Sequence, residues 1–415
     1  MDRVRRVTSL ACVDIGSTYT KAALVEEGTG RLLATAQAPT TLDDVVTGVL
    51  AATAGFPDAP VLACSSAGGG LRLAVVGYEE LISAEAGHRA ALSAGARVVH
   101  VAAGVLDGGG LAALRAAEPD VVLLVGGTDG GEASALRANA ATLAGADWSV
   151  PVVLAGNAAV RDEVATLLRT GGLPVREAGN VLPDIGRLAP ESARAAIRAV
   201  FLEHVIGGDR LSTDPRLRRW VRAVTPDAVL EGVTVLARAA GPVVVVDVGG
   251  ATTDVYCVPD ADAEQATLGR EAVGVPARRR TVEGDLGVTW SADALRRAVA
   301  AEGLPNPGDE LELAGAAATI ALRRHLRAET GYGPGGASAR SAGLVVLSGG
   351  VFRHADPAAV DDVVARIAED AGGAGSVLAA TPVVVDRRYV LAAVGLLAPD
   401  HPGAALELAT TLVPR

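Results

Sequence analysis

The hydrophobic pattern of this chain consists of short apolar runs, several of which lead into a glycine-rich turn. Residues 243–246 are four valines that precede Asp247, and an unbroken apolar run of this length predicts a strand buried on both faces. Gly249 and Gly250 predict a tight turn after it, and hydroxyl residues and a second acid follow. Residues 7–15 begin the same pattern near the N-terminus, so the chain carries two strand-to-turn elements of one kind.

Apolar runs and helical patterns alternate along the rest of the chain. Strands that alternate with helices predict an α/β protein with parallel or mixed sheets covered by helices. The further runs typical of strands are 22–25, 31–37, 60–66, 119–125, 151–155, 344–347 and 383–385. The patterns typical of helices are 42–54, 79–94, 158–170 with Asn157 as its cap, most of 177–240, a helix from about Ser291, 311–329, 357–370 and 387–398. Residues 271–281 are expected to be irregular, and 331–343 a loop.

The residues of the two turns suit the phosphates of a nucleotide. Backbone N–H groups at Gly249 and Gly250 can approach an anion closely, and the hydroxyls of Thr252 and Thr253 can donate to phosphate oxygens. Asp247 lies at a strand end, where a carboxylate can hold Mg²⁺ through its water shell. The sequence contains neither the phosphate loop that ends in Gly-Lys-Ser/Thr nor the Gly-x-Gly-x-x-Gly fingerprint of dinucleotide sites. The alternative is a buried strand and hairpin without a ligand.

Composition narrows the classes of function. The chain has 415 residues, half of them apolar, which is enough for two or three domains. Its net charge of −11 argues against nucleic acid as the main partner. No apolar run approaches the roughly 18–20 residues of a membrane span. Cys12, Cys64 and Cys257 lie too far apart in sequence for a disulfide framework or a zinc motif, so we expect a reduced, cytoplasmic protein.

Three strand-to-turn elements follow one another along the chain: Asp14 to Lys21, Asp247 to Asp254, and Leu347 to Arg353. The first two resemble the phosphate loops of the actin-like ATPase superfamily, and the third resembles its adenosine loop. The resemblance implies a two-lobed α/β fold with a duplicated ribonuclease-H-like motif and mixed sheets flanked by helices. It also implies bound ATP or ADP, with Mg²⁺ between Asp14 and Asp247. The implied nucleotide contacts are Gly16, Ser17, Thr18, Thr20, Lys21, Gly249, Gly250, Ala251, Thr252, Thr253, Gly349, Gly350 and Val351.

The same resemblance implies a division of the chain into two lobes. Residues 1–240 would form an N-terminal lobe with the first phosphate loop and a family-specific helical part. Residues 241–415 would form a C-terminal lobe with the second phosphate loop and the adenosine loop. An inserted subdomain would occupy residues 271–342, and the run Asp386–Leu397 resembles the final helix of the superfamily.

Five shorter motifs, spread over nearly the whole chain, are Ser65–Arg72 with Ala74–Gly77, Val125–Gly131, Ala155–Asn157, Asn180–Pro183 and Thr281–Gly287. They resemble the glutamate mutase accessory proteins called MutL or GlmL. That family is encoded with the cobalamin-dependent methylaspartate mutase and is thought to act as its chaperone or reactivating ATPase. The resemblance implies mutase subunits and a nucleotide as partners, without nucleic acid or membrane, and a homodimer is compatible with it. The cobalamin signature Asp-x-His-x-x-Gly is not found, so this chain is not expected to bind cobalamin itself.

The residue that orients the attacking water has two candidates. Superfamily ATPases place a Glu, Gln or Asp just before a helix that precedes the second phosphate loop. Alignment on Pro226 puts Thr225 at that position, whereas alignment on 228–230 puts it nearer Asp227. Both residue types also cap helices well, so capping alone is a third interpretation. Lys21 could reach the phosphates or lie along the strand edge.

Other features leave alternatives open. The turns at Ser65–Gly70 and Gly126–Gly131 could be tight connections or could line a surface for a client or ligand. The cluster Arg278–Arg280 is interpreted as a solvated edge, and the six histidines show no ligand spacing. A small-molecule kinase would need a carboxylate base aimed at a substrate hydroxyl, and none is identifiable. A filament or scaffold protein is the other rival to a weak ATPase that acts as a chaperone or reactivating factor.

Overall fold

The computed structural model describes residues 8–41, 43–67, 71–78, 87, 91, 96–185, 187–206, 211–258, 278–330, 338–378 and 381–414. The chain divides into two compact units. Unit 1 contains residues 1–41, 45–67 and 225–415, and unit 2 contains residues 42–44 and 68–224. Most of the helix predicted at 79–94 lies outside the described residues. Within the described ranges, no helix is both long and apolar enough to cross a membrane.

The first sheet of unit 1 is built from β1 (Ser9–Ile15), β2 (Tyr19–Glu26), β3 (Leu32–Pro39) and β4 (Val61–Ser65), with helix α1 (Val45–Thr53) before β4. All of β1 after Ser9 is buried, as expected for a central apolar strand. β2 and β3 continue from β1 as an antiparallel meander, and β4 returns parallel to β1. Within unit 1 these strands lie in the order β4-β1-β2-β3.

Unit 2 is an α/β unit around a parallel sheet in which the strands lie in the order β6-β5-β7-β8-β9 and every pairing is parallel. This is one of the strand orders of doubly wound folds. The hydrophobic pattern predicted β7 and β8, whose Val and Leu residues are all buried, but missed β5, β6 and β9. The elements are β5 (Arg72–Gly77), β6 (Arg97–Ala103), α2 (Gly108–Ala116), β7 (Val121–Leu124), α3 (Ser134–Ala144), β8 (Val152–Leu154), α4 (Arg161–Thr170), β9 (Val175–Glu177), α5 (Glu191–Val200), α6 (Pro215–Trp220) and β10 (Val221–Val224).

The second half of unit 1 begins with helix α7 and contains a second sheet. Its strands lie in the order β13-β12-β11-β14-β15, and helices pack against them around a core of apolar side chains. The elements are α7 (Thr225–Ala240), β11 (Val243–Val248), β12 (Thr253–Val258), β13 (Arg279–Glu283), α8 (Ala292–Ala301), α9 (Glu310–Thr330), β14 (Leu344–Ser348), α10 (Gly350–His354), α11 (Pro357–Ala368), α12 (Gly375–Leu378), β15 (Val383–Val385), α13 (Leu391–Leu397) and α14 (Pro402–Thr410).

The two sheets of unit 1 repeat one topology. In each, an antiparallel meander of three strands is followed by a strand that returns parallel to the first, so β11, β12, β13 and β14 correspond to β1, β2, β3 and β4. The repeat extends to single residues, because Asp14 lies opposite Lys21 where Asp247 lies opposite Asp254. The parallel strand next to each acid places a polar residue beside it, and in the first sheet this residue is Cys64, opposite Asp14. The duplicated ribonuclease-H-like motif of the actin-like fold is therefore confirmed, with mixed sheets flanked by helices.

Helices α7 and α13 cross with their backbones in contact. A Cβ atom added to Gly395 would lie 1.7 Å from the carbonyl oxygen of Ala228, and one added to Gly232 would lie 2.1 Å from that of Leu391. Only glycine fits at either position without moving a helix. Because α13 also packs on β1 and α7 packs on β11, this crossing joins the elements around the two sheets.

Candidate functional site

The first predicted phosphate loop is the turn between β1 and β2. The Gly16 N–H donates to the carbonyl of Tyr19 at 3.1 Å, and the Thr40 hydroxyl donates to the Gly16 carbonyl at 2.9 Å. A Cβ atom on Gly16 would lie 2.8 Å from that Tyr19 oxygen, so the turn requires glycine. The buried Thr20 hydroxyl forms a 3.0 Å hydrogen bond with the Thr40 hydroxyl, and this bond stabilises the hairpin.

The second predicted phosphate loop, between β11 and β12, closes with the same bond. Gly249 donates its N–H to the carbonyl of Thr252 at 2.9 Å. The Thr253 hydroxyl turns inward to the carbonyl of Leu286 at 2.7 Å. Gly287 supports the loop from beneath, since a Cβ there would lie 2.3 Å from the Ala251 carbonyl carbon. The segment at 284–287, the end of the Thr281–Gly287 motif, therefore packs directly against this loop.

The two loops face each other. A Cβ atom added to Gly250 in the second loop would lie 3.3 Å from the Thr18 hydroxyl oxygen in the first. That oxygen is buried and has no hydrogen-bond partner among the residues that the structure describes. A buried hydroxyl without a partner is costly, so a ligand oxygen at this point would satisfy it. Thr18 is thus suitably placed to donate to a phosphate.

Asp14 is held by three side chains. One carboxylate oxygen, Oδ1, accepts hydrogen bonds from the Thr225 hydroxyl at 2.5 Å and the Cys64 thiol at 3.5 Å. Burial and the Asp14 charge raise the pKa of Cys64 well above its usual value, so the thiol keeps its proton and can donate. The other oxygen, Oδ2, lies 3.7 Å from the ammonium nitrogen of Lys21. Asp14 therefore has one oxygen fully engaged and one beside a cation.

Asp247 occupies the equivalent place in the second sheet. Burial raises its pKa to about 6, the nearby Lys21 ammonium opposes this, and the Asp254 charge adds to it. A hydrogen bond from the Ser348 side chain also favours the ionised carboxylate. Two carboxylates that both interact electrostatically with one ammonium form a donor set of the kind that holds Mg²⁺ through its waters.

Lys21 does not lie along the strand edge, and its contact with phosphates stays a prediction. Its ammonium lies beside Asp14, within the electrostatic reach of Asp247, and 3.6 Å from the centre of the Tyr389 ring. No local pattern pointed to Tyr389, because nearly all of the chain separates it from the first hairpin. The side chain is placed beside the Asp14 carboxylate and not along a strand edge.

Thr225 and Asp227 have different surroundings at the start of α7. Thr225 contacts Asp14 through its hydroxyl. The Asp227 charge instead acts on Arg280 and on Tyr256, both on the second sheet. The structure therefore brings Thr225 into direct contact with a predicted metal ligand.

The predicted adenosine loop lies against the end of β11. Gly349 has a φ of 125°, and a Cβ on it would lie 2.2 Å from the carbonyl oxygen of Val248. Glycine is needed for both reasons. Gly350 begins α10, and Val351 follows within that helix. The loop is thus adjacent to the strand that carries Asp247.

The interpretation of Arg278–Arg280 as a solvated edge is wrong. Residues 279–283 form β13, and all three arginines have acidic partners. Arg280 contacts Asp254 at 2.8 Å, Arg279 contacts Glu329 at 2.6 Å, and Arg278 contacts Glu231 at 3.1 Å. A sequence pattern predicts that arginines on a β-strand are exposed, because their partners are not visible in it. In this structure the acidic partners come from other elements, α7, β12 and α9.

Cys257, His325 and Glu329 come together in a cluster that the sequence spacing did not reveal. Their ligand atoms all lie within 4.8 Å of one another. The Arg279 guanidinium, however, is 2.6 Å from a Glu329 oxygen and 3.5 Å from the Cys257 sulfur, and so already supplies the positive charge. The cluster is therefore an ion pair that anchors β13 to α9.

This ion pair predicts a pH dependence of stability. Burial tends to raise the pKa of Glu329, but the adjacent His325 ring, hydrogen bonds from Ser338 and Ala339 and the Arg279 charge outweigh it and lower the pKa to about 2. A lowered folded-state pKa gives stability that is present above the usual value of 4.5 and is lost as the pH falls towards 2. Glu329→Gln should therefore lower the free energy of unfolding at pH 7, and the difference from wild type should shrink below pH 4.5.

Urea unfolding at several pH values would measure this difference, with Glu407→Gln as the control, since Glu407 is exposed on α14. A deficit of Glu329→Gln that stays constant across the pH range would contradict the assignment.

The glycine-rich turn of unit 2 is fixed by two buried asparagines. Asn157 accepts from the Gly130 N–H and donates to the Gly131 carbonyl, both at 3.0 Å, and it caps the following helix as predicted. Asn180 donates to the Gly127 carbonyl at 2.9 Å. These bonds fit the tight-connection interpretation, while the client-surface alternative stays a prediction. In the other turn, Gly68–Gly70 lie outside the described residues.

The duplicated sheets, the facing glycine loops and the acids at the ends of β1 and β11 define a protein with the actin-like fold. A family model described as MutL protein matches residues 10–312 and 308–413. Protein MutL of Clostridium tetanomorphum is 31% identical over 450 residues, which cover 95% of this chain and 97% of that protein. The chain therefore belongs to the MutL protein family.

Two solved structures also show general likeness. Nucleotide-free acetone carboxylase is 12% identical, with a TM-score of 0.43, and the match covers 94% of this chain and 70% of that chain. A carbohydrate kinase from Novosphingobium aromaticivorans is 18% identical, with a TM-score of 0.32, and the match covers 96% of this chain and 92% of that chain. At these TM-scores the likeness carries no argument about this chain.

Proposed function

We propose that this protein is a nucleotide-dependent accessory protein of a cobalamin-dependent mutase of the glutamate mutase type, and that it uses ATP to restore mutase that holds inactive cofactor. Membership of the MutL protein family supports the accessory role. The observation that carries the nucleotide part is the pair of facing loops, with the unsatisfied Thr18 hydroxyl between them and Asp14 and Asp247 beside them.

Each element of the site then has a role towards Mg·ATP. The loops at Gly16–Thr20 and Gly249–Thr253 would hold phosphate oxygens with backbone N–H groups and the Thr18 hydroxyl, since the Thr253 hydroxyl already donates to Leu286. Asp14 and Asp247 would hold Mg²⁺ through its waters, and the ion would neutralise phosphate charge. The loop at Gly349–Val351 would lie against adenosine. These donors come from two separate sheets of unit 1, so binding the phosphates would draw the sheets together, in the manner of hinge closure.

Rapid hydrolysis of ATP is not required for this role. We keep Thr225 and Asp227 as the candidates for orienting water, and the hydrogen bond from Thr225 to Asp14 supports Thr225. A threonine hydroxyl is a weaker base than a carboxylate, so slow turnover is expected. The division into lobes at 1–240 and 241–415, with an insertion at 271–342, is retained as part of the proposal. Cytoplasmic location, the mutase subunits as partners and the lack of cobalamin on this chain also remain predictions.

The proposal predicts nucleotide-dependent recovery of a stalled mutase. Glutamate mutase inactivated with damaged cofactor should regain turnover when this protein, excess adenosylcobalamin and ATP are added together. Recovery should be much smaller with ADP or without nucleotide, because both conditions lack the γ-phosphate that would contact the two facing loops. Asp247→Ala should support little recovery with ATP.

Mutase turnover after inactivation is the measurement. Equal recovery under all three nucleotide conditions would reject ATP-driven reactivation. Consumption of ATP driven by a small molecule alone, without mutase, would instead support a kinase.

A further inference from the structure

The carboxylate pair of the candidate site already has a cation of its own. Oδ1 of Asp14 is saturated by Thr225 and Cys64, so only Oδ2 is left for a metal or its water shell. The Lys21 ammonium lies 3.7 Å from that oxygen and also lowers the pKa of Asp247. An ammonium and a divalent ion cannot occupy the same position between two carboxylates, since their charges repel.

The Tyr389 ring packs against this ammonium. The centre of its ring lies 3.6 Å from Lys21 Nζ, within the range of a cation–π contact. Burial and the charges of Asp247 and Asp14 raise the pKa of the Tyr389 hydroxyl well above its usual value, so the residue stays neutral beside the acids. A neutral aromatic ring is the kind of partner that can stabilise the ammonium without adding charge.

The backbone at Tyr389 is held in an unusual conformation. Its φ is 55°, which is uncommon for a residue with a side chain. The turn is fixed by Asp386, whose carbonyl accepts from the Tyr389 N–H at 3.2 Å and whose carboxylate accepts from the N–H groups of Val390 at 3.0 Å and Leu391 at 3.2 Å. Strained backbone that its surroundings hold in place often marks a functional position. Here the strain aims the ring at Lys21.

We propose that Tyr389 is a positioning residue that holds Lys21 as the resting counter-ion of Asp14 and Asp247, so that Mg²⁺ enters only together with ATP. The phosphates give the ammonium a new anionic partner and free the carboxylates for the ion. A metal ion alone must displace Lys21 without that compensation. The inference rests on the proposed nucleotide site, and it makes metal and nucleotide binding mutually dependent.

The test measures Mn²⁺ binding to the full chain without nucleotide, from the loss of the spin-resonance signal of free Mn²⁺. Lys21→Met and Tyr389→Leu should each bind Mn²⁺ about tenfold or more tightly than wild type. The first variant removes the ammonium that repels the metal ion, and the second lets that ammonium move away from the carboxylates. Tyr389→Phe keeps the ring and should remain within about threefold of wild type. Unchanged Mn²⁺ affinity in Lys21→Met, or Tyr389→Phe matching Tyr389→Leu, would overturn the inference.

A second measurement separates this role from structural damage. Lys21→Met should weaken Mg·ATP binding, measured by calorimetry, while it tightens Mn²⁺ binding. Damage to the fold would weaken both, and that result would overturn the inference. The two proposals also fail separately. Tighter Mn²⁺ binding in the variants, with no ATP binding by wild type, would support the counter-ion role and reject the nucleotide site. The reverse result would reject only the counter-ion role.

Discussion

Asp247→Ala is expected to weaken Mg·ATP binding about tenfold or more, which corresponds to about 1.4 kcal/mol. The Lys21 ammonium acts on Asp247 as well as on Asp14, and Asp247 at the end of β11 lies beside both the second predicted phosphate loop and the predicted adenosine loop. Without it, the water shell of Mg²⁺ would be held from one side only. Calorimetric titration with Mg·ATP would measure the change.

Metal dependence makes this prediction specific. In excess chelator the same variant should bind ATP at least as well as wild type, because a carboxylate near the phosphates repels them when no cation lies between. Asp285→Asn is the matched control, since Asp285 lies in the neighbouring turn but is engaged by Arg324 at 2.7 Å. Its Mg·ATP affinity should stay within about twofold of wild type. Equal affinities of wild type and Asp247→Ala with Mg²⁺ would reject the metal assignment.

Gly395→Val should lower the free energy of unfolding by about 3 kcal/mol or more. Even the first added carbon would lie 1.7 Å from the Ala228 carbonyl oxygen, so α7 and α13 would have to separate along their crossing. Gly232 lies in the same contact and cannot relax, because its own space is closed by the Leu391 carbonyl. Denaturant unfolding monitored by circular dichroism would give the loss of stability.

A glycine one helix further on provides the control. A Cβ atom on Gly403, in α14, would meet nothing within 4 Å, and its φ is not in the left-handed region. Gly403→Ala should therefore be neutral or stabilise by about 0.4–1 kcal/mol. If Gly395→Ala proved as harmless as Gly403→Ala, the helices would not be in backbone contact. If Gly395→Val and Gly395→Ala both fail to fold, the yield of folded protein replaces the unfolding measurement. A lower yield of folded Gly395→Ala than of Gly403→Ala then supports the backbone contact.

The local features of the candidate site follow from the sequence. A strand, an acid, a glycine turn and hydroxyl residues are contiguous in each loop, and the turn bond from Gly16 to Tyr19 is repeated from Gly249 to Thr252. Such elements depend on residues a few positions apart, so both hairpins and the glycine turn after β14 could be predicted. The family motifs are likewise short contiguous segments, and family membership could be inferred from them.

Strands of mixed composition were harder to predict. β6 contains a histidine and an arginine, and β13 begins with two arginines, so neither shows a continuous apolar run. β13 forms because Glu329 and Asp254 neutralise its arginines, and these acids lie in other elements. The sequence pattern records the polarity of a residue but not whether a partner elsewhere satisfies it.

The amino-acid sequence was sufficient for the α/β class, the duplicated hairpins, the family and the two acids at the strand ends. The position of Lys21 over Tyr389, the bond from Thr225 to Asp14 and the crossing at Gly395 came only from the tertiary structure. Each of these joins residues more than 150 positions apart in the chain. Contacts of that kind depend on how whole sheets and helices pack, which no local pattern of hydrophobic and polar residues encodes.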